Sequence, residues 1–262
     1  MRQWRCRVRI QGRKSGFTII ELLVVIVIVG ILTGLLAQAV GRVKEKGRSI
    51  GCVSNMRQLG LGILMYADDQ GGALPMATNF SVDKSSADRI WVTPISSYIH
   101  GRNVFICPSA RRSSRFEPRW PGRGWISIGY NGVTAYDPRG IEGPTKKPTT
   151  NEVSDPSRTV LFADTPSGPT EMKYRGYVFS PFNGVRNFSD PRLSTPLVSD
   201  HDLIIRSDLR PGELKPVFAR HLSLDEQPGR SNLVIADGHV ESKRSSEILQ
   251  QDKGANLIWI FR

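Results

Sequence analysis

The sequence predicts an α+β protein, with one long N-terminal α-helix packed on a C-terminal antiparallel β-sheet domain with long loops. Three observations carry this. From Leu22 to Ala37 there are 16 residues without charge, amide or proline, and Thr33 is the only hydroxyl. No proline occurs between Phe17 and Leu74, and in the second half of that interval apolar residues recur at mostly three- and four-residue steps, the period of a helix. From Ala73 onward Pro and Gly become frequent and apolar runs shorten, the texture of short strands joined by turns.

Residues 1–16 read as a basic leader ending in Ser15-Gly16. Arg2, Arg5, Arg7, Arg9, Arg13 and Lys14 supply half of the net charge of +12, and no acidic residue precedes Gly16. A basic cluster beside an apolar run marks the cytoplasmic side of a membrane span. The charge on the remaining chain reads as a solvated surface. It does not interleave with aromatics, so no nucleic-acid partner is expected.

Residues 17–70 are expected to form the helix, with 17–40 as its transmembrane part; 24 residues reach about 36 Å as a helix, enough to cross a bilayer. One carboxylate, Glu21, falls inside this apolar stretch. An unpaired acid in hydrocarbon costs a few kcal/mol at least, which makes Glu21 a functional candidate. Gly30 and Gly34 form a small-xxx-small pair that lets helix backbones approach closely in lipid. Beyond Val40 the pattern becomes amphipathic, through Cys52, Val53, Met56, Leu59, Leu61, Ile63, Leu64 and Tyr66. Asp68-Asp69-Gln70-Gly71-Gly72 should end the helix, predicted from about Thr18 to about Asp68.

Residues 71–262 are expected to fold as a globular β-rich domain. Candidate strands are Val104–Ile106, Trp125–Tyr130, Thr159–Ala163, Tyr174–Phe179, Leu203–Arg206, Pro216–Ala219, Asn232–Ile235, His239–Ser242 and Leu257–Phe261. Asp237-Gly238 reads as a tight hairpin turn, Ser245–Gln251 as a short helix, and residues 137–157 and 180–200 as long loops.

The segment Gly16-Phe17-Thr18-Ile19-Ile20-Glu21-Leu22, after a short basic leader, resembles the signal of type IV pilins and type II secretion pseudopilins. The resemblance implies a pilin-like fold and cleavage between Gly16 and Phe17 by a prepilin peptidase, which also N-methylates Phe17. No cofactor is expected. The partners the resemblance implies are other pilin or pseudopilin subunits, an assembly platform with its ATPase, and membrane lipid. Glu21 of one subunit would pair with the Phe17 amine of a neighbour, with Gly30 and Gly34 at the helix contacts. The implied location is the bacterial inner membrane, single-pass, with the C-terminal domain periplasmic, or a cell-surface fibre. Cys52-Val53-Ser54-Asn55-Met56-Arg57-Gln58-Leu59-Gly60, Phe105-Ile106-Cys107-Pro108-Ser109 and Asn232–Val240 more loosely resemble the large pilin-like proteins of planctomycete- and verrucomicrobia-type bacteria. That group places a His closer to its Asp-Gly than here, where fifteen residues separate His221 from Asp237. Many major pilins kink the apolar helix with a Pro; this chain has none there and carries Gln38 in that neighbourhood.

If the leader with Cys6 is removed, Cys52 and Cys107 remain. In an exported chain an even number makes a Cys52–Cys107 disulfide the expected reading, while spacing alone leaves two free buried thiols as the alternative. His221, Asp237 and His239 could hold a metal, but Asp237 and Gly238 are also what a tight turn requires, and no metal is expected. Asp68 and Asp69 could offer oxygens to Ca²⁺ or simply end the helix. No GxSxG, HExxH, phosphate-binding loop or dinucleotide fingerprint occurs, so a non-enzymatic role is expected. Two other readings stay open. One is a membrane-anchored ligand-binding module that does not polymerise. The other is a secreted protein cleaved after Ala37-Gln38-Ala39, which leaves Glu21 unexplained.

Overall fold

The computed structural model describes residues 16–83, 86–110, 126–135, 147–166, 176–181, 187, 189, 194–199, 217–221, 229–250 and 257–260. The expected strand Leu203–Arg206 and nearly all of the leader lie outside them. One helix, α1, runs Ile19–Asp69, within one residue of the expected bounds. The chain divides into two compact units, Met1–Lys44 and Glu45–Arg262, and α1 contributes to both.

In the second unit, Cys52, Met56, Leu59, Ile63, Tyr66 and Ala67 form the buried stripe of α1. Their spacing keeps them on one helix face, while Leu61 and Met65 point to solvent. The helix stops where Gly71 and Gly72 take positive φ of 62° and 87°, and the Gly72 N–H caps Ala67 O at 2.7 Å. That closure is a glycine C-cap.

The stripe packs on a five-stranded sheet. Its strands are β1 (Ile128–Asn131), β2 (Val160–Asp164), β3 (Val178–Phe179), β6 (Arg230–Ile235) and β7 (Val240–Arg244), ordered β3-β1-β2-β6-β7. β4 (Val198–Ser199) and β5 (Val217–Phe218) form a separate parallel pair. Tyr130, Phe162 and Val234 join the α1 stripe on one face. Val160, Leu233, Ile235, Phe179 and Trp259 form a second core with Ile248 of α3 (Ser245–Leu249). The sheet is thus buried on both faces, which explains why β2 reads as a continuous apolar run rather than an alternating one. A register shift between Val160 and Phe162 is the one-residue irregularity of a bulge.

Several expectations need correction. The sheet is mixed: β1 pairs antiparallel with β2 but parallel with β3. β3 reaches the sheet edge by passing β1 instead of turning back as a hairpin, and no turn residue signals that choice. Val104–Ile106 is not a strand; Arg102–Phe105 is a 3₁₀ helix. Asn55 of α1 holds it, its side-chain amide donating to Asn103 O at 3.2 Å and Ile106 O at 3.0 Å. Residues 257–260 form only an isolated bridge, Ile258 to Thr159, because Trp259 anchors the segment in the second core. The 180–200 loop contains β4, and a short helix α2 (Val92–Ile95) was not foreseen. The Asp237-Gly238 turn joins β6 and β7 as expected, with Gly238 at φ 93°.

Glycines in α1 have opposite surroundings. A Cβ at Gly60 would lie 2.9 Å from Val234 Cγ1 and 3.1 Å from Gly238 O, whereas one at Gly47 meets nothing within 4 Å. Gly60→Val is therefore expected to cost about 3 kcal/mol by forcing the helix off the sheet. Gly47→Ala should gain about 1 kcal/mol of helix propensity. Thermal unfolding of the detergent-solubilised chain should show Tm changes of opposite sign. Equal tolerance at both sites would refute the close packing at Gly60.

Candidate functional site

The first unit carries the start of α1. Thr18 precedes the first residue of α1 and Glu21 is three positions on. The Thr18 backbone N–H donates to Glu21 Oε2 at 2.8 Å, the Thr18 hydroxyl donates to the same oxygen at 2.7 Å, and the Glu21 N–H donates to Thr18 Oγ1 at 3.3 Å. This is a capping box: two backbone donors that the helix cannot use are satisfied reciprocally. The signal was present in the sequence as Thr-x-x-Glu before an apolar run. It gives Glu21 a role inside its own chain.

Past Glu21 the helix is apolar all round. Its large side chains from Leu22 to Leu36 are 48–65% exposed. Such a helix belongs in a membrane or in the centre of an assembly. It is one helix long and apolar enough to cross a membrane. The Thr33 hydroxyl bonds back to Val29 O at 2.7 Å, so it brings no unsatisfied polar group into an apolar environment. A Cβ at Gly30 or Gly34 would meet nothing within 4 Å; both positions are open notches on the helix surface.

In the second unit the structure brings Cys52 and Cys107 together, as free thiols, with two residues the sequence did not group with them. Cys52 is on α1, Cys107 follows the 3₁₀ helix Arg102–Phe105, Asp164 ends β2 and His221 follows β5. All four are fully buried. Cys52 Sγ is 3.4 Å from Asp164 Oδ1, Cys107 Sγ 3.4 Å from His221 Nε2, and His221 Nε2 3.1 Å from Asp164 Oδ2. The Asn232 backbone N–H also donates to Asp164 Oδ2, at 2.9 Å.

Electrostatics follow from this crowding. Burial opposes charge on His221, but the Asp164 carboxylate and the contact with Cys107 outweigh it and push the imidazole up to about 10. Burial also opposes charge on Asp164, yet His221, Arg220 and the Asn232 N–H hold its carboxyl below the usual range. Burial raises the Cys107 thiol, while Cys52, His221 and Arg220 bring it down to about 7. Cys52 is pushed up by its contact with Cys107, by burial and by Asp164.

His221 does not meet Asp237 and His239. It is bridged to Arg230 at the start of β6, while Asp237 and His239 lie past the other end of that strand. There Asp237 Oδ1 accepts the His239 N–H at 3.1 Å and contacts His239 Nδ1 at 2.5 Å, while His239 Nε2 is 3.2 Å from Glu241. These are partly exposed turn contacts. Asp69 accepts the Tyr98 hydroxyl at 2.8 Å beside the glycine cap, a structural contact at the helix end.

Residues 12–37 match the model of the prokaryotic N-terminal methylation motif. No curated protein and no solved structure matches the chain. The motif implies processing by a prepilin peptidase and assembly with other pilin subunits. The matched segment is the prepilin-type signal of type IV pilins and pseudopilins, so the chain carries the N-terminus of a pilin-like precursor.

Proposed function

We propose that the chain is a structural subunit, pilin or pseudopilin, of a type IV pilus or type II secretion-like filament. Prepilin peptidase cleaves it between Gly16 and Phe17 and N-methylates Phe17. One observation carries this reading: the matched signal at 12–37 leads into a helix that continues unbroken to Asp69. An ordinary secretory signal is removed together with its apolar run. Here the apolar segment and the packed segment are one helix, so cleavage at Gly16 keeps both.

Before assembly the subunit waits in the inner membrane through residues 17–40, with its globular domain on the periplasmic side. A membrane platform and its ATPase then extract it. In the filament the apolar helices pack centrally, Gly30 and Gly34 permit close approach, and the β-rich domains lie outside.

The mass of the mature N-terminal peptide tests the reading. N-methylated Phe17 is expected in both membrane and filament fractions. A chain beginning at Val40 would mean signal peptidase removes the apolar run, and the proposal fails. Crosslinks joining position 17 of one subunit to position 21 of another separate a polymer from a membrane-anchored module, which gives none.

A further inference from the structure

We propose that Cys52 Sγ, Cys107 Sγ, Asp164 and His221 Nε2 form a closed, tetrahedral structural site for a divalent transition metal, with Zn²⁺ the best fit. Four donor residues from four separate chain segments converge, every donor atom lying within 4.8 Å of the others. Zn²⁺ takes thiolate at about 2.3 Å and imidazole or carboxylate at about 2.0–2.2 Å. A tetrahedron with those bond lengths has edges of about 3.8 Å between the two sulfurs, about 3.6 Å between sulfur and nitrogen or oxygen, and about 3.4 Å between nitrogen and oxygen. Cys107 Sγ to His221 Nε2 and Cys52 Sγ to Asp164 Oδ1, both 3.4 Å, and His221 Nε2 to Asp164 Oδ2, 3.1 Å, lie close to those edges; the two Asp164 contacts use different oxygens, so on loading the carboxylate turns to present one of them. Thiolate and imidazole ligands together select zinc over the hard cations that oxygen-rich sites take.

The surroundings fit a bound metal. Two thiolates and a carboxylate around a divalent ion leave one net negative charge. The buried Arg220 guanidinium is placed to balance it, with Nε 3.7 Å from Asp164 Oδ1. The other His221 nitrogen, Nδ1, is buried without a hydrogen-bond partner among the described residues, and Glu45 Oε1 is 3.9 Å away. A carboxylate that accepts from the second nitrogen of a ligating imidazole fixes its tautomer and leaves Nε2 as the ligand atom; Glu45 lies just beyond hydrogen-bond distance of Nδ1 and would have to close on it when the metal binds. Glu45 is itself held by the Ser109 hydroxyl at 2.5 Å, and Asp164 by the Asn232 N–H. No solvent reaches the four residues, so the site offers no open coordination position and is structural rather than catalytic. Its effect is to tie α1 to the sheet and to the two connecting segments. Loading displaces the thiol protons to solvent.

The rival is the Cys52–Cys107 disulfide, which uses the same two sulfurs and excludes the metal. It accounts for two of the four converging groups and leaves Asp164 and His221 directed at a bridge that needs neither. The test uses the full chain, without a histidine tag, extracted in detergent under anaerobic conditions. About one equivalent of zinc per chain is expected by elemental analysis. Exchange for Co²⁺ should give a thiolate-to-cobalt charge-transfer band with the intense ligand-field bands of tetrahedral geometry. Cys107→Ser, nearly isosteric, should weaken the charge-transfer band and lower the metal content at least tenfold. Two results would overturn the proposal, and neither needs a variant that folds. One is an intact mass two hydrogens light, with both cysteines resistant to alkylation until reduced. The other is wild-type chain that holds no zinc and gives no thiolate band with Co²⁺.

Discussion

Chains carrying Glu21→Gln or Glu21→Ala are expected to be cleaved and methylated normally, yet to be at least a hundredfold depleted from filaments. The reason is electrostatic. In the proposed mature subunit, which begins at Phe17, the Phe17 amine and the Glu21 carboxylate are both charged groups at the head of an apolar helix. Inside a filament each needs a partner, and breaking a buried pair by removing one member costs about 3–5 kcal/mol. A hundredfold change corresponds to about 2.7 kcal/mol, so the loss is within reach of that single pair.

The capping box makes the two substitutions informative in different ways. Glu21 closes the first turn onto Thr18 within its own chain. Glutamine keeps an acceptor for that contact and loses only the charge. Alanine loses both, and a lost cap costs about 1 kcal/mol, too little for a hundredfold effect. Immunoblots of sheared filaments against the membrane fraction measure the ratio. Comparable depletion for both variants assigns the effect to charge between subunits. Wild-type incorporation of the Gln variant would confine Glu21 to its own helix and remove the inter-subunit pair from the assembly contacts.

Much of the fold was legible because it depends on local pattern. The Pro-free interval and the three- and four-residue spacing from Cys52 to Tyr66 gave α1 nearly to its ends, and Asp237-Gly238 gave the β6–β7 turn. Val104–Ile106 misled because three apolar residues in a row satisfy a buried 3₁₀ turn as well as a strand; Asn55 of the distant helix decides between them. The parallel β1–β3 pair depends on where the chain returns after β2, which no local residue encodes. The methylation signal is contiguous and was read directly, and Thr18-x-x-Glu21 could have been. The buried cluster could not. Asp164 ends an apolar strand with no second ligand beside it, and the contacts it makes with Cys52, and Cys107 with His221, span 112 and 114 positions. The sequence singles out the two cysteines for a disulfide and His221 for a site with Asp237 and His239, never the four together.

Trp91 drew no attention in the sequence, yet Trp91→Ala is expected to be among the most damaging single changes in the globular unit. The side chain is fully buried. Its ring centroid lies 4.9 Å from that of Phe162, 5.7 Å from Phe105 and 5.9 Å from Tyr130. It thereby joins the segment leading into α2, the 3₁₀ helix and strands β1 and β2 in one aromatic cluster. Its indole N–H donates to Tyr177 O at 2.5 Å. Truncation to alanine leaves a void at the meeting point of these elements and costs about 3–5 kcal/mol. For a unit of this size that lowers Tm by about 10 °C. Trp91→Phe separates the contributions. It keeps most of the ring contacts and loses the N–H donor. Tyr177 O still accepts the Tyr130 N–H at 3.0 Å, so the carbonyl is not orphaned and the lost bond costs about 1 kcal/mol. Calorimetry of the detergent-solubilised chains should therefore rank wild type above Phe and Phe well above Ala. A shift below 2 °C for the alanine variant would contradict the central place of Trp91 in the core. Cleavage and methylation at Gly16–Phe17 should be unchanged in both variants, because that signal lies wholly within the first unit and contains none of the residues Trp91 touches.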